Sequence, residues 1–261
     1  MTWFRIKSFF FFLFNSTNQH GIHPPFLYQF VTKCLYKRIS NANLKRLKEN
    51  RKSILNSNEM LNVQDFGAGS KKMKKITRTV AEMGKKSGML LHQSKLMNKI
   101  VDYFKVESVL ELGTSVGLGS IAMATNSAAV KIDTVEACTN TSRLAKSNLE
   151  ALNLDNIQVH NKEFQSFLNS LNHQKKFDLI YIDGNHQKEA TLSYFKQLKQ
   201  HIHQNSILIF DDIYWSPDML EAWQGIIKDK DVKLSIDLYF WGIIFFKPEL
   251  TKQHFRIRCF Y

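Results

Sequence analysis

The sequence is poor in several things, and each absence excludes something. It has three cysteines in 261 residues, Cys34, Cys138 and Cys259. None stands at C-x-x-C spacing and the count is odd, so a reducing, cytoplasmic compartment fits better than a disulfide scaffold. No apolar run approaches the roughly 20 residues that a bilayer-spanning helix needs. The aromatic run from Phe9 to Phe14, behind Arg5 and Lys7, is as short as the shortest signal-peptide cores, and no small-residue cleavage site follows it. It reads as a helix end packed on the body, with a basic, aromatic membrane-surface anchor as the alternative. Internal repeats and low-complexity stretches are also missing.

Acidic residues are scarce in one part of the chain only. Residues 1–100 carry 19 Lys and Arg against 4 Asp and Glu, while residues 101–261 carry 17 against 19. The net formal charge of +13 therefore sits at the front, and such a split implies two regions with different tasks. A basic region can face an acidic substrate, an anionic lipid surface, nucleic acid, or only solvent. The lysine cluster at 71–75 has no interleaved aromatics, so no nucleic-acid partner is expected from it.

Apolar residues make up 44% of the chain, enough for a sizeable core. Residues 1–60 read as helices interrupted at Pro24-Pro25, since proline cannot continue a helix interior. Apolar residues at helical spacing mark 26–38. Residues 62–88 read as a Gly- and Lys-rich loop feeding a basic helix around 76–86, and residues 90–104 as an amphipathic helix. Short runs rich in β-branched and aliphatic residues then alternate with helical stretches. They lie at 108–112, 131–136, 157–160, 177–182, 206–210, 232–238 and 241–246. This alternation implies an α/β fold with a parallel sheet buried on both faces. The last two runs are too close for a helical crossover and must form an antiparallel hairpin. The expected organisation is a helical, basic extension at 1–88 covering the active site, and a ligand-binding domain at 89–261.

Glu111-Leu112-Gly113-Thr114-Ser115-Val116-Gly117-Leu118-Gly119 lies where the first of these strands runs into a helix. Glycines there allow a tight turn and close approach of a ligand, at the strand ends where open α/β sheets bind ligands. Ser115 occupies the second glycine position of the dinucleotide fingerprint, and no phosphate-loop Lys-Ser/Thr pair is present. Glu111, two residues before Gly113, argues against a pyrophosphate and suits a ligand carrying an ammonium and a sulfonium. Glu136, followed by Ala137, ends the next strand, where a carboxylate can accept both hydroxyls of a ribose. Glu163 and Phe164 follow the third strand and are placed to meet the amino group and the face of an adenine. Asp183 and His186 close the fourth strand; Asp211 and Asp212 close the fifth. Adjacent parallel strand ends lie side by side, so these carboxylates should converge. Three acids without a cation suggest a hard divalent metal with oxygen ligands. His186, with a side chain that titrates near neutrality, is the candidate base.

The segment Glu111–Gly117 together with Glu136 resembles the S-adenosylmethionine (SAM) binding half of small-molecule O-methyltransferases typified by catechol O-methyltransferase, over residues 90–247. Over its whole length the chain also resembles a group of bacterial class I methyltransferases that share Gln19-His20-Gly21-Ile22-His23-Pro24-Pro25-Phe26 and Asp65-Phe66-Gly67-Ala68-Gly69-Ser70. It departs from that group at Pro24, where the group has Ser, and at Lys162, where it has Gly. The resemblance implies a class I, Rossmann-like fold of seven mostly parallel strands with an antiparallel C-terminal hairpin. It implies SAM held by Glu111, Gly113, Thr114, Ser115, Gly117, Gly119, Glu136, Ala137, Glu163, Phe164 and Asp183. It also implies Mg²⁺ or a similar ion on Asp183, Asp211 and Asp212, with Asp212 where the catechol-type enzymes have Asn. His186 stands where they have a lysine base, which makes Asp183 and His186 the catalytic pair for a small hydroxylated acceptor. Other readings are an RNA or protein methyltransferase using the basic region, or a non-catalytic SAM-binding module. The first lacks the N/D-P-P-Y/F motif after the fourth strand. A homodimer through the N-terminal helices is a further expectation.

Overall fold

In chain order the elements begin with helices α1 (Trp3–Asn15), α2 (Pro25–Phe30), which runs on as a π-turn over Val31–Leu35, and α3 (Asn41–Leu55). Strands β1 (Met60–Gln64) and β2 (Lys75–Thr79) follow, then helices α4 (Val80–Lys86) and α5 (Leu91–Phe104). Next come β3 (Ser108–Leu112), α6 (Leu118–Ala124), β4 (Lys131–Val135), α7 (Thr139–Ala151), β5 (Ile157–His160) and α8 (Phe164–Ser170). The chain continues through β6 (Leu179–Ile182), α9 (Lys188–Leu198), β7 (Ile207–Asp211) and α10 (Pro217–Lys228). It closes with β8 (Leu234–Asp237), β9 (Trp241–Phe245) and β10 (Gln253–Arg256). This computed structural model describes residues 2–64 and 75–259. Asp65–Ser70 of the bacterial resemblance and lysines 71–74 lie outside the described residues.

The chain forms two compact units, one of residues 37–170 and one of residues 1–36 with 171–261. In the first unit β3, β4 and β5 run parallel, with Leu112 opposite Val135 and Val135 opposite His160. Their connections are α6 and α7, as βαβ units require. In the second unit the strand order is β10-β8-β9-β7-β6. There β6 and β7 are parallel, and β9 pairs antiparallel with both β7 and β8. All residues of β6 and of β9 are buried. Their unbroken apolar runs therefore reflect cover on both faces. Phe12, Phe30, Tyr181, Phe210, Trp241 and Phe245 fill this core, while Met97, Ile100 and Leu110 fill that of the first unit. Full burial of each such side chain contributes roughly 2 kcal/mol.

All seven expected strands form, as β3 to β9, and the α/β architecture holds. One correction concerns the expected loop and helix of 62–88. Residues 60–64 and 75–79 form an antiparallel hairpin, Met60 opposite Thr79, and the helix starts only at Val80. β-Branched Ile76, Thr77 and Thr79 favour the extended chain. Thr79 then sets the helix start through a capping box: its hydroxyl accepts from Glu82 N, and the Glu82 carboxylate accepts from Thr79 N, each at 3.1 Å. Strand β10 is a further addition, parallel to β8. Among the described residues no helix is long and apolar enough to cross a membrane.

Candidate active site

The glycine turn after β3 is built around a buried acid. Glu111 is 1% exposed. Its carboxylate accepts from the hydroxyls of Ser120 and of Thr134, the latter at 2.7 Å, and Thr134 in turn shares a 2.6 Å bond with Thr114. A side chain on Gly119 would collide with Glu111 Oε1. Glu111 thus ties β3, β4 and the first turn of α6 together from inside. Thr114, Gly117 and Gly119 are likewise buried, whereas Gly113, Ser115, Glu136 and Ala137 are partly open to solvent. The turn requires left-handed backbone at Gly113 (φ 112°), Ser115 (φ 49°) and Gly117 (φ 91°). At Ser115, a non-glycine residue, this is strain of the kind that gathers at ligand sites.

Glu136 is held open at the end of β4. Ser115 N donates to its Oε2 at 3.1 Å and Cys138 N to its Oε1 at 2.9 Å. These two backbone donors fix the orientation of the carboxylate at the strand end. Asn161, a residue missed by sequence reasoning, donates its amide to the carbonyls of Glu136 and Ala137. No pattern marks it, because an asparagine just past a strand reads as an ordinary turn residue. Glu163 is exposed and Phe164 half-buried at the start of α8, where Phe167 N donates to Glu163 O.

In the other unit the ends of β6 and β7 bring Asp183, His186 and Asp211 together. One ligating atom from each lies within 4.8 Å of the others. His186 Nε2 stands 3.9 Å from Asp183 Oδ1. Tyr181 OH donates to Asp183 Oδ2 at 3.2 Å, and Trp241 Nε1 donates to Asp211 Oδ1 at 2.6 Å. Burial raises the pKa of both carboxyls above the ordinary range. Asp211 is raised well above it, with the charges of Asp183 and Asp212 adding to the burial. Two carboxyls that resist ionising side by side, with an imidazole beside them, fit a divalent cation, which would remove the repulsion. Asp212, expected as the third ligand, lies outside this group. Its backbone is left-handed (φ 51°) and its carboxylate sits 3.8 Å from Arg5 Nη2.

Arg5 is the second residue missed. Its guanidinium lies 4.9 Å from the centroid of the Trp215 ring, and Trp215 lies 5.8 Å from the His186 ring. Thr2, Arg5, Trp215 and Ser216 line a cavity of about 520 Å³. The sequence holds no signal for this, since an arginine some 180 residues before His186 reads as part of a basic tail.

Residues 110–213 match a family described as a methyltransferase domain. No curated protein matches the sequence. Fold and match agree: the chain has the class I methyltransferase fold, and residues 110–213 of it match a methyltransferase domain. Among solved structures it is similar to the S-adenosylhomocysteine (SAH) bound methyltransferase PaMTH1 of Podospora anserina, at 16% identity and a TM-score of 0.56 over 87% of this chain and 99% of that one. It is also similar to the O-methyltransferase of Bacillus cereus in complex with SAH (18%, TM-score 0.52, 83% and 96%). A third is the O-methyltransferase TomG of Streptomyces achromogenes, in complex with SAM (12%, TM-score 0.55, 81% and 92%). At these identities the likeness carries the fold.

Proposed function

We infer that the chain transfers the methyl group of SAM to an oxygen of a small-molecule acceptor with the help of a divalent cation. The observation that carries this reading is the convergence of Asp183, His186 and Asp211 at neighbouring strand ends of a methyltransferase fold. Gly113 and Ser115 of the glycine turn and Glu136 and Ala137 after β4 are partly open and are assigned to SAM, with Glu136 on the ribose. Glu111, Thr114, Gly117 and Gly119 shape that turn, and Glu163 and Phe164 are assigned to the adenine. Asp183 and Asp211 would hold the cation. When bound, SAM supplies an electrophilic methyl carbon, and the cation withdraws electron density from the acceptor hydroxyl.

His186 takes the hydroxyl proton as the oxygen attacks the methyl carbon and the carbon–sulfur bond breaks, leaving SAH. Arg5 and Trp215, as walls of the cavity, orient the acceptor, so residues 1–36 serve the acceptor side.

The test uses the full chain, labelled SAM and a panel of phenols and diols, with Mg²⁺ or with excess chelator. Methyl transfer to oxygen in Mg²⁺ and its loss in chelator are expected. Full activity in chelator would remove the cation from the reading, and no product with any phenol or diol would remove the acceptor class. His186→Ala should lower turnover about a hundredfold or more while metal affinity is retained. Lost metal affinity would make His186 a ligand instead of the base.

A further inference from the structure

Helix α1 has two faces, and both are apolar. One packs inside its own unit: Ser8 and Phe12 are buried, and Phe9 and Phe12 meet the Tyr239 ring at 5.1 and 5.7 Å. The other carries Trp3, Phe10, Phe11 and Phe14, which are 78%, 52%, 50% and 86% exposed, with exposed Lys7 among them. These residues recur at the three- and four-residue spacing of one helix face. A helix that is hydrophobic all round is normally buried, so four exposed aromatics on 13 residues imply that something covers the outer face in use.

Charge decides what covers it. The N-terminal segment of its unit, residues 1–36, carries Arg5, Lys7 and Lys33 and no acidic residue. A second copy of this helix would bring like charges together, whereas an anionic surface would attract them. Aromatic rings interleaved with a lysine suit the headgroup region of a bilayer, where an apolar ring body and a charged amine are both solvated. The helix is about 20 Å long at the α-helical rise, too short to span the hydrocarbon core and long enough to lie along it. We propose that α1 docks the protein on an anionic lipid surface, with Trp3, Phe10, Phe11 and Phe14 in the headgroup region and Lys7 against lipid phosphates.

The experiment is co-sedimentation of the full chain with phosphatidylcholine vesicles and with phosphatidylcholine–phosphatidylserine vesicles. It is run alongside a Trp3→Ala/Phe10→Ala/Phe14→Ala variant whose melting temperature and SAM binding report its fold. These three side chains are exposed, so the variant should fold normally. The wild type should bind the anionic vesicles about tenfold or more tightly than the neutral ones, as one or two interfacial cations allow, and high salt should weaken that binding. The variant should lose it while keeping its fold. Equal binding of the wild type and a folded variant would overturn the proposal. So would a wild type that ignores both vesicles and instead forms dimers that the variant does not, which would give the face to a second copy.

Discussion

Gly119 and Glu111 define each other. The first turn of α6 approaches the end of β3 so closely that a methyl group at 119 would collide with the Glu111 carboxylate, and that carboxylate is already taken by Ser120 and Thr134. Gly119→Ala is therefore an overpacking substitution beside a buried charge and should cost about 1–3 kcal/mol. It should also lower SAM affinity, because the turn at 113–117 rests on the same carboxylate. Thermal unfolding with and without SAM checks both effects, and an unchanged melting temperature would show that α6 can shift freely. The motif made this turn visible in the sequence because its glycines and acid stand at fixed offsets. The direction in which Glu111 faces was not visible, because it depends on Thr134, a residue of another strand. Asp183 and Asp211 could likewise be read from strand ends. The pairing of Asp212 with Arg5 depends on a left-handed residue and on a distant helix.

At the scale of elements, β8 and β10 place two perturbed groups two rungs apart, with Ser235 opposite His254 and Asp237 opposite Arg256. Asp237 is buried, accepts from Tyr214 OH at 2.6 Å and from Tyr239 N at 2.8 Å, and has its pKa pushed up to about 6 by burial. His254, bonded to the Ser235 hydroxyl at 2.9 Å, is pushed down to about 4 by burial. Between about pH 4 and 6 the folded state binds more protons at Asp237 than the unfolded chain does. That contribution weakens the fold as pH rises, by about 3 kcal/mol over the full window. At His254 the folded state binds fewer protons between about pH 4 and 6.5, so its contribution strengthens the fold as pH rises. The two offset each other. Relative to the wild type, Asp237→Asn should make stability climb more steeply with pH over this range, and His254→Gln should make it climb less or fall. Denaturant titrations at several pH values compare the slopes, and equal slopes for the two variants would refute the assignment. Strand β10 escaped sequence reading because Gln253-His254-Phe255-Arg256 is short and polar. The hairpin of β1 and β2 escaped because its lysines and glycines resemble a loop. Strands β3 to β9 were legible because long aliphatic runs between helical stretches have few other solutions.

For the whole molecule, the residues assigned to SAM at the glycine turn, at Glu136 and in α8 fall in residues 37–170. Those assigned to the acceptor fall in the other unit. Binding and chemistry should therefore separate on mutation. With SAM at a hundred times its dissociation constant, the fold gains about 2.7 kcal/mol, and Asp183→Asn should keep that gain while losing methyl transfer. Loss of SAM protection in this variant would place Asp183 in the donor site, as the resemblance implies. The same arrangement has a consequence in time. Tyr239 OH donates to the carbonyl of Arg5, a bond that spans 234 residues of chain. At roughly 5–20 residues per second of synthesis, Arg5 is made about 10 to 50 seconds before Tyr239. For that interval Phe9 and Phe12 lack the Tyr239 ring that they meet in the fold, so the inner face of α1 is completed only after nearly the whole chain has been made.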